Sequence, residues 1–167
     1  GLPQELINAA AEDAKTKGKD GKWVFTLSNS SVMPFLQYSS NRKLRQEIWN
    51  AYQTRANHDN DLDNKENVIK LANLRGEKAR LLGYKSHSDY VLEESMAKNP
   101  ENVAKLLNDL WKPALEIAKT EAADIQKMMD KDGIKDQVKP YDWRYYTEKI
   151  RKQRFDLDEQ ELKPYFS

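Results

Sequence analysis

Two histidines stand among the 167 residues, and the chain has no cysteine. His58 lies in the polar run Ala56-Asn57-His58-Asp59-Asn60, and His87 lies between Ser86 and Ser88. Neither sits in an H-E-x-x-H pattern, and neither has a second His four residues on with which to grip zinc from one helix face. Without Cys there is no disulfide scaffold, iron–sulfur site or thiol nucleophile. No metal or cofactor is therefore expected on this chain.

Other groupings fall short of their chemistry in the same way. Asp59, Asp61 and Asp63 fall at positions one, three and five of a would-be calcium loop. The sixth position is Asn64 where the turn needs Gly, and the twelfth is Lys70 where the ion needs a bidentate Glu. An acidic loop favouring the start of the next helix is the expected reading. Gly18-Lys19-Asp20-Gly21-Lys22 lacks the spacing of a phosphate-binding loop. Asn29-Ser30-Ser31 matches a glycosylation acceptor, a pattern of three residues only. Lys149, Arg151, Lys152 and Arg154 form a basic group near a helix end. The net charge is only +1, so a solvated face is expected and no nucleic-acid partner.

The richest feature is Tyr141-Asp142-Trp143-Arg144-Tyr145-Tyr146. On a helix, Trp143, Tyr146 and Ile150 share one face while Tyr145 points elsewhere. A helix buries one stripe, so neighbouring aromatics of this density cannot all face one core. Either they pack a core, or some of them line a cleft or interface.

The elements that would position these residues are helical. Leu6, Ile7, Ala10, Ala11 and Ala14 share a face, and Gly18 and Gly21 end that helix. Trp23-Val24-Phe25-Thr26-Leu27 has strand composition, though no confident partner strand. The Ser/Asn run at 28–31 with Pro34 predicts a loop. Leu44, Ile48, Ala51 and Tyr52 predict the buried stripe of the next helix. Val68, Leu71, Leu74, Leu81 and Leu82 predict that of the one after, stopped by Gly83. Ser86 with Asp89 resembles a capping box opening a short helix with Tyr90, Val91 and Met96. Asn99-Pro100-Glu101 is a start signal for a long helix. Its stripe runs from Val103 through Leu106, Leu107, Leu110, Ala114, Ile117, Ala118 and Ile125 to Met128, with a kink or break expected at Pro113. Asp142 opens another helix to about Arg154, and Asp158 with Glu161 a last short one. The predicted class is mostly α: an irregular multi-helix assembly with at most one or two short strands near the N-terminus. It is read as a single helical body over 1–167, with a sub-boundary near 28–41.

Composition agrees with a thin-cored helical protein. Leu, Ile, Val and Phe number only 34, against 33% charged residues, but four Trp and eight Tyr add bulk for burial. No run approaches the length of a membrane span, and the stretch Leu6–Ala11 is interrupted by Asn8 and ended by Glu12. No membrane partner is expected, and the lack of Cys is compatible with the cytoplasm, the compartment expected here.

A colinear set of segments resembles one family. The segments are Trp23 to Leu27, Pro34-Phe35-Leu36-Gln37-Tyr38, Asn41-Arg42-Lys43-Leu44-Arg45, Asp63-Asn64-Lys65 and Leu74-Arg75-Gly76-Glu77-Lys78-Ala79. They continue with Leu81-Leu82-Gly83-Tyr84, Tyr90-Val91-Leu92-Glu93, Met96-Ala97-Lys98-Asn99-Pro100 and Asp142-Trp143-Arg144-Tyr145-Tyr146. Together they are similar to the thimet oligopeptidase and peptidyl-dipeptidase (dipeptidyl carboxypeptidase) zinc metallopeptidases, the peptidyl-dipeptidase branch most of all. The resemblance implies a parent whose two mainly helical halves flank a deep channel for short peptides. It implies zinc in that parent, held by H-E-x-x-H and a further Glu downstream.

None of those zinc ligands has a counterpart here, and Gly1-Leu2-Pro3 replaces a starting Met. The expectation is a non-catalytic fragment upstream of the zinc site, inactive alone, whose partner is the remainder of the parent chain. Trp143, Tyr145 and Tyr146 are the candidates for lining the channel. A stand-alone helical interaction module is the alternative. Self-association is expected if Trp23-Val24-Phe25 and the Trp143–Tyr146 cluster leave apolar surface uncovered.

Overall fold

The computed structural model describes residues 1–155 and 165. Among them are seven helices and no strand: α1 (Gln4–Thr16), α2 (Asn29–Tyr38), α3 (Arg42–Gln53), α4 (Lys65–Leu81), α5 (His87–Leu92), α6 (Pro100–Lys131) and α7 (Pro140–Phe155). The helix predicted from Asp158 lies outside the described residues. The contacts separate two compact units, Gly1–Gln53 with Glu121–Ser167, and Thr54–Thr120. Residues 28–41 lie inside the first.

The helix ends follow local chemistry. After α4, Gly83 takes φ +86°, its N–H donates to the Arg80 carbonyl at 3.0 Å, and the Tyr84 N–H donates to Ala79 at 2.9 Å. That pair of bonds satisfies carbonyls the helix leaves unpaired, and the left-handed backbone is one that Gly adopts without steric cost. Gly133 closes α6 in the same way, through bonds to Asp130 and Met129. At the starts, Asn99 Oδ1 accepts from the Asn102 N–H at 2.8 Å. Ser86 Oγ accepts from the Asp89 N–H and donates to the Asp89 carboxylate at 2.7 Å.

One local expectation is overturned, and the break expected at Pro113 is absent. Residues 29–38 are helical, not a loop, and carry Pro34 inside. Interior Pro costs a helix about 3 kcal/mol, but Val32, Phe35 and Leu36 are buried from this helix, and each such side chain returns about 1.5–3 kcal/mol. The hydroxyl-rich run forms its first turn: the Ser28 carbonyl accepts from the Val32 N–H, and Ser31 Oγ accepts from the Thr26 N–H. Asn29 Oδ1 accepts from the Tyr52 hydroxyl at 2.8 Å. Pro113 does not divide α6, which runs unbroken over 32 residues.

The candidate strand Trp23–Leu27 is an irregular segment with no strand ladder. Its Val24 N–H reaches the Ala10 carbonyl of α1 at 2.9 Å, an approach that the small buried Ala10 and Ala14 permit. Phe25 packs edge-on against Phe35, with ring centroids 4.6 Å apart.

The first unit holds two cores. In one, Val32, Leu36 and Tyr141 are buried with Leu27, Ile48, Trp49 and Tyr52 against them. In the other, Ile125 and Met129 of α6 close on Tyr146 of α7, flanked by Met128, Ile134, Val138, Trp143, Tyr145 and Ile150. Helices α2, α3 and α7 pack on one another. The buried member of α3 is not its predicted stripe: Leu44 is 44% exposed, and Arg45 is 1% exposed.

The second unit is sparser. Helix α5 packs on α4, where Ala79 is fully buried. Val68, Leu71, Leu74, Leu81 and Leu82, predicted to be buried, are all exposed, as are Val91 and Met96. Leu106, Leu107, Leu110 and Ile117 of α6 are also exposed, against the predicted stripe. The helical period is correct in each case, but no described element covers these positions.

Buried charge ties the first unit together. Asp142, fully buried, accepts from Arg42 Nε at 2.9 Å, Arg42 Nη2 at 2.8 Å and Arg45 Nη2 at 3.0 Å. It also accepts from the Lys139 N–H at 3.1 Å, the return bond that an acid makes three residues into a helix. Removing one partner of such a buried pair leaves an uncompensated charge and costs about 3–5 kcal/mol. Asp142→Ala is expected to lose stability of that size in urea unfolding; a loss under about 1 kcal/mol, as at ordinary surface sites, would contradict it.

Candidate functional site

The aromatic run of α7 is held from below by that charge cluster. Arg45 donates through Nε to the Tyr141 carbonyl at 3.1 Å and through Nη1 to the Ser39 carbonyl at 2.8 Å. Its guanidinium plane also lies 4.2 Å from the Tyr145 ring centre. This cation–π contact in a buried setting fixes Tyr145 on the flank of α7. Arg42 sits 5.2 Å over the Tyr141 ring and pairs with Asp136 at 2.9 Å, which holds that carboxyl below its ordinary range. Tyr141 in turn meets Trp49 of α3 edge-on at 6.3 Å.

The three candidate residues have different surroundings. Tyr146 is 1% exposed and belongs to the core formed with Ile125 and Met129. Tyr145 is half-buried and stands perpendicular to Tyr146, the centroids 5.1 Å apart. Trp143 is half-buried; it packs on the edge of that core and also lines an open groove of about 530 Å³ with Gln37, Pro140, Arg144, Thr147 and Glu148. Core packing and cleft lining are thus both present, divided among neighbouring residues.

A larger apolar cleft of about 770 Å³ lies elsewhere in the same unit. Trp23, Phe25 and Leu27 line it from the irregular segment, with Phe35, Leu44 and Ile48 from α2 and α3. It carries no constellation of titratable groups, and its chemistry is that of an apolar contact surface.

The remaining groupings resolve as local structure. Lys65 Nζ pairs with Asp59 and with Asp63, the latter at 2.9 Å. Asp63 also accepts from the backbone N–H of Lys65 and of Asp59. The backbone bond from Lys65 first, then the Lys65 ammonium, hold the Asp63 carboxyl far below the usual range. Among the described residues no group of three or more His, Cys, Asp or Glu is placed to hold a metal ion. His58 is exposed; His87 is half-buried beside Tyr90, with its Nδ1 enclosed and unpartnered among the described residues. In the basic group, Lys149 meets Asp132, Arg151 meets Glu148 and Arg154 meets Asp124.

The sequence reading missed Arg42 and Arg45. The signal was present: Arg45 stands on the same face of α3 as Ile48, Trp49 and Tyr52, and a charge inside an apolar face must find a partner.

The family model of Peptidase family M3 matches residues 35–167. The chain belongs to peptidase family M3. It is 34% identical over 166 residues to dipeptidyl carboxypeptidase of Escherichia coli strain K12, covering 99% of this chain and 24% of that protein. It is 33% identical to organellar oligopeptidase A, chloroplastic/mitochondrial, of Arabidopsis thaliana, over 100% of this chain and 22% of that protein. Probable cytosolic oligopeptidase A of the same plant is 33% identical over 100% of this chain and 25% of its own length. The chain spans about a quarter of the length of these M3 relatives. Among the described residues no helix is long and apolar enough to cross a membrane.

The site has a pH signature. Burial first, and the nearby Asp132 charge second, push the Tyr146 hydroxyl up to about 12 from its ordinary 10.0. A raised tyrosine value favours the neutral form in the fold. The stabilisation is complete below the unfolded value of 10.0 and is lost as pH rises through about 12. Alkaline titration followed by tyrosinate absorbance is expected to show a late tyrosine that Tyr146→Phe removes. That variant's stability is expected to fall less steeply above pH 10; an unchanged late titration would refute the assignment.

Proposed function

We propose that this chain is a non-catalytic helical segment of a zinc-dependent M3 oligopeptidase. The whole protein hydrolyses short peptides, releasing C-terminal dipeptides, and acts in the cytoplasm. One observation carries the reading: the likeness runs along nearly the whole chain yet spans about a quarter of the relatives, and the 167 residues contain no H-E-x-x-H. The names of the relatives, dipeptidyl carboxypeptidase and oligopeptidase A, support the reaction class.

Zinc, held elsewhere in such a protein, would supply a water activated for attack on the peptide carbonyl. The part proposed for this chain is to build one wall for the peptide. Trp143 and Tyr145 offer flat amphipathic rings suited to an extended backbone and varied side chains, a low-specificity contact. Tyr146 supports them from within the core, and the Arg45–Asp142 pair fixes the helix that carries them.

The chain alone is expected to bind no zinc stoichiometrically and to cleave no peptide, since a catalytic zinc needs about three protein ligands and an open position. Metal analysis after dialysis, with a quenched-fluorescence peptide assay, checks this. One tightly bound zinc per chain, or cleavage abolished by chelator in a clean preparation, would overturn the reading. The native reading frame discriminates further. A frame running on to H-E-x-x-H favours the oligopeptidase, and one stopping near Ser167 favours a stand-alone interaction module.

A further inference from the structure

Helix α6 carries one apolar stripe with two fates. With successive residues turned by about 100° on a helix, positions 106, 107, 110, 111, 117, 125, 128 and 129 fall within about 140° of arc. Toward the C-terminal end, Ile125 is 1% exposed and Met129 fully buried, because α7 lays Tyr146 against them. Toward the N-terminal end the same stripe is bare: Leu106 and Leu107 are each 60% exposed, and Trp111 is 64% exposed. The opposite side of these forward turns carries Lys105, Asn108, Asp109, Lys112, Glu116 and Lys119, the ordinary solvent face of an amphipathic helix.

Helix α4 points the same way from a different pattern. Val68, Ile69, Leu71, Leu74, Leu81 and Leu82 lie on several sides of it, all exposed. Neighbouring exposed apolar side chains such as Leu106, Leu107, Leu110 and Trp111 on one helix face form the kind of patch that is uncommon on a soluble monomer.

We infer that the forward stripe of α6, centred on Leu107, Leu110 and Trp111, is an intramolecular docking face covered by a helix from the remainder of the M3 polypeptide. That helix covers residues 103–118 as Tyr146 of α7 covers Ile125 and Met129 on the rear turns. Two observations select this occupant. The bare stripe continues, without a change of period, the stripe whose rear residues Ile125 and Met129 are covered by Tyr146 of a second helix, so the cover it fits is another amphipathic helix. The relatives supply the source, since about three-quarters of their length lies outside the match. The inference rests on the proposed function, because it needs a longer parent.

Hydroxyl-radical footprinting tests it on two proteins: this chain, and the product of the complete reading frame. Oxidation of the peptide bearing Leu106 to Trp111 is expected to be high in the chain alone. In the longer protein it is expected to fall to the level of the peptide bearing Tyr146, which stays protected in both. Leu110→Asp is expected to leave the melting of the chain alone unchanged and to lower that of the longer protein.

Equal oxidation of Trp111 in both proteins, or an equal effect of Leu110→Asp on both, overturns the docking face. So does protection of Trp111 in the chain alone at every concentration. Zinc-dependent peptidase activity of the longer protein is read separately. An active enzyme with an unprotected stripe sinks this inference and spares the function; a protected stripe in a protein without such activity does the reverse. A frame that stops near Ser167 removes both.

Discussion

The first unit depends on the full burial of the Asp142 carboxylate. A buried carboxylate is tolerated only if its oxygens are occupied, and those of Asp142 take bonds from Arg42, Arg45 and a backbone N–H. Those bonds constrain three helices together. Arg42 and Arg45 belong to α3, Ser39 caps α2, and Asp142 lies in the first turn of α7. None of these can shift without stranding a charge or a carbonyl. The apolar contacts around them supply driving force, but apolar contacts tolerate sliding; the directed bonds fix the register. The arrangement is thus a specificity device as much as a source of stability.

The same node reaches the aromatic run. Arg45 is at once the partner of Asp142 and the floor under Tyr145. Tyr145 stands against Tyr146, and Tyr146 closes the core on α6. A surface aromatic is held on a charge pair on one side and a packed core on the other. The wall proposed above would gain from such support, since a preorganised surface loses little entropy on contact.

The second unit shows the opposite condition. Its helices start or stop on local signals such as Ser86, Asn99 and Gly83, yet many of their apolar positions face outward. Local chemistry is enough to start and stop a helix, and the tertiary interactions that normally stabilise one are thin here. Membership of a family whose relatives are about four times as long gives that surface a physical context.

The residues by themselves determined several helix ends, though not those of α2, which reads as a loop. Asn99, Ser86, Gly83 and Gly133 each act through bonds spanning three to five residues, so the neighbours that decide the outcome are adjacent in the chain. The helical class and the family were legible for the same reason, in period and in short colinear segments. The division of the aromatic run was legible in part. Three close aromatics could not share one core, and the structure does divide them, with Tyr146 inside and Trp143 and Tyr145 at the edge. Only the tertiary structure decided which stripe is buried. Nothing local distinguishes Ile125 from Leu110 on α6, since both lie on one face of one helix; Tyr146 stands opposite the first and nothing described stands opposite the second. Arg45 is buried and Leu44 is not because a carboxylate some hundred residues away meets the one and an open cleft meets the other. Burial is a property of what faces a residue, and that is set by chain segments distant in sequence.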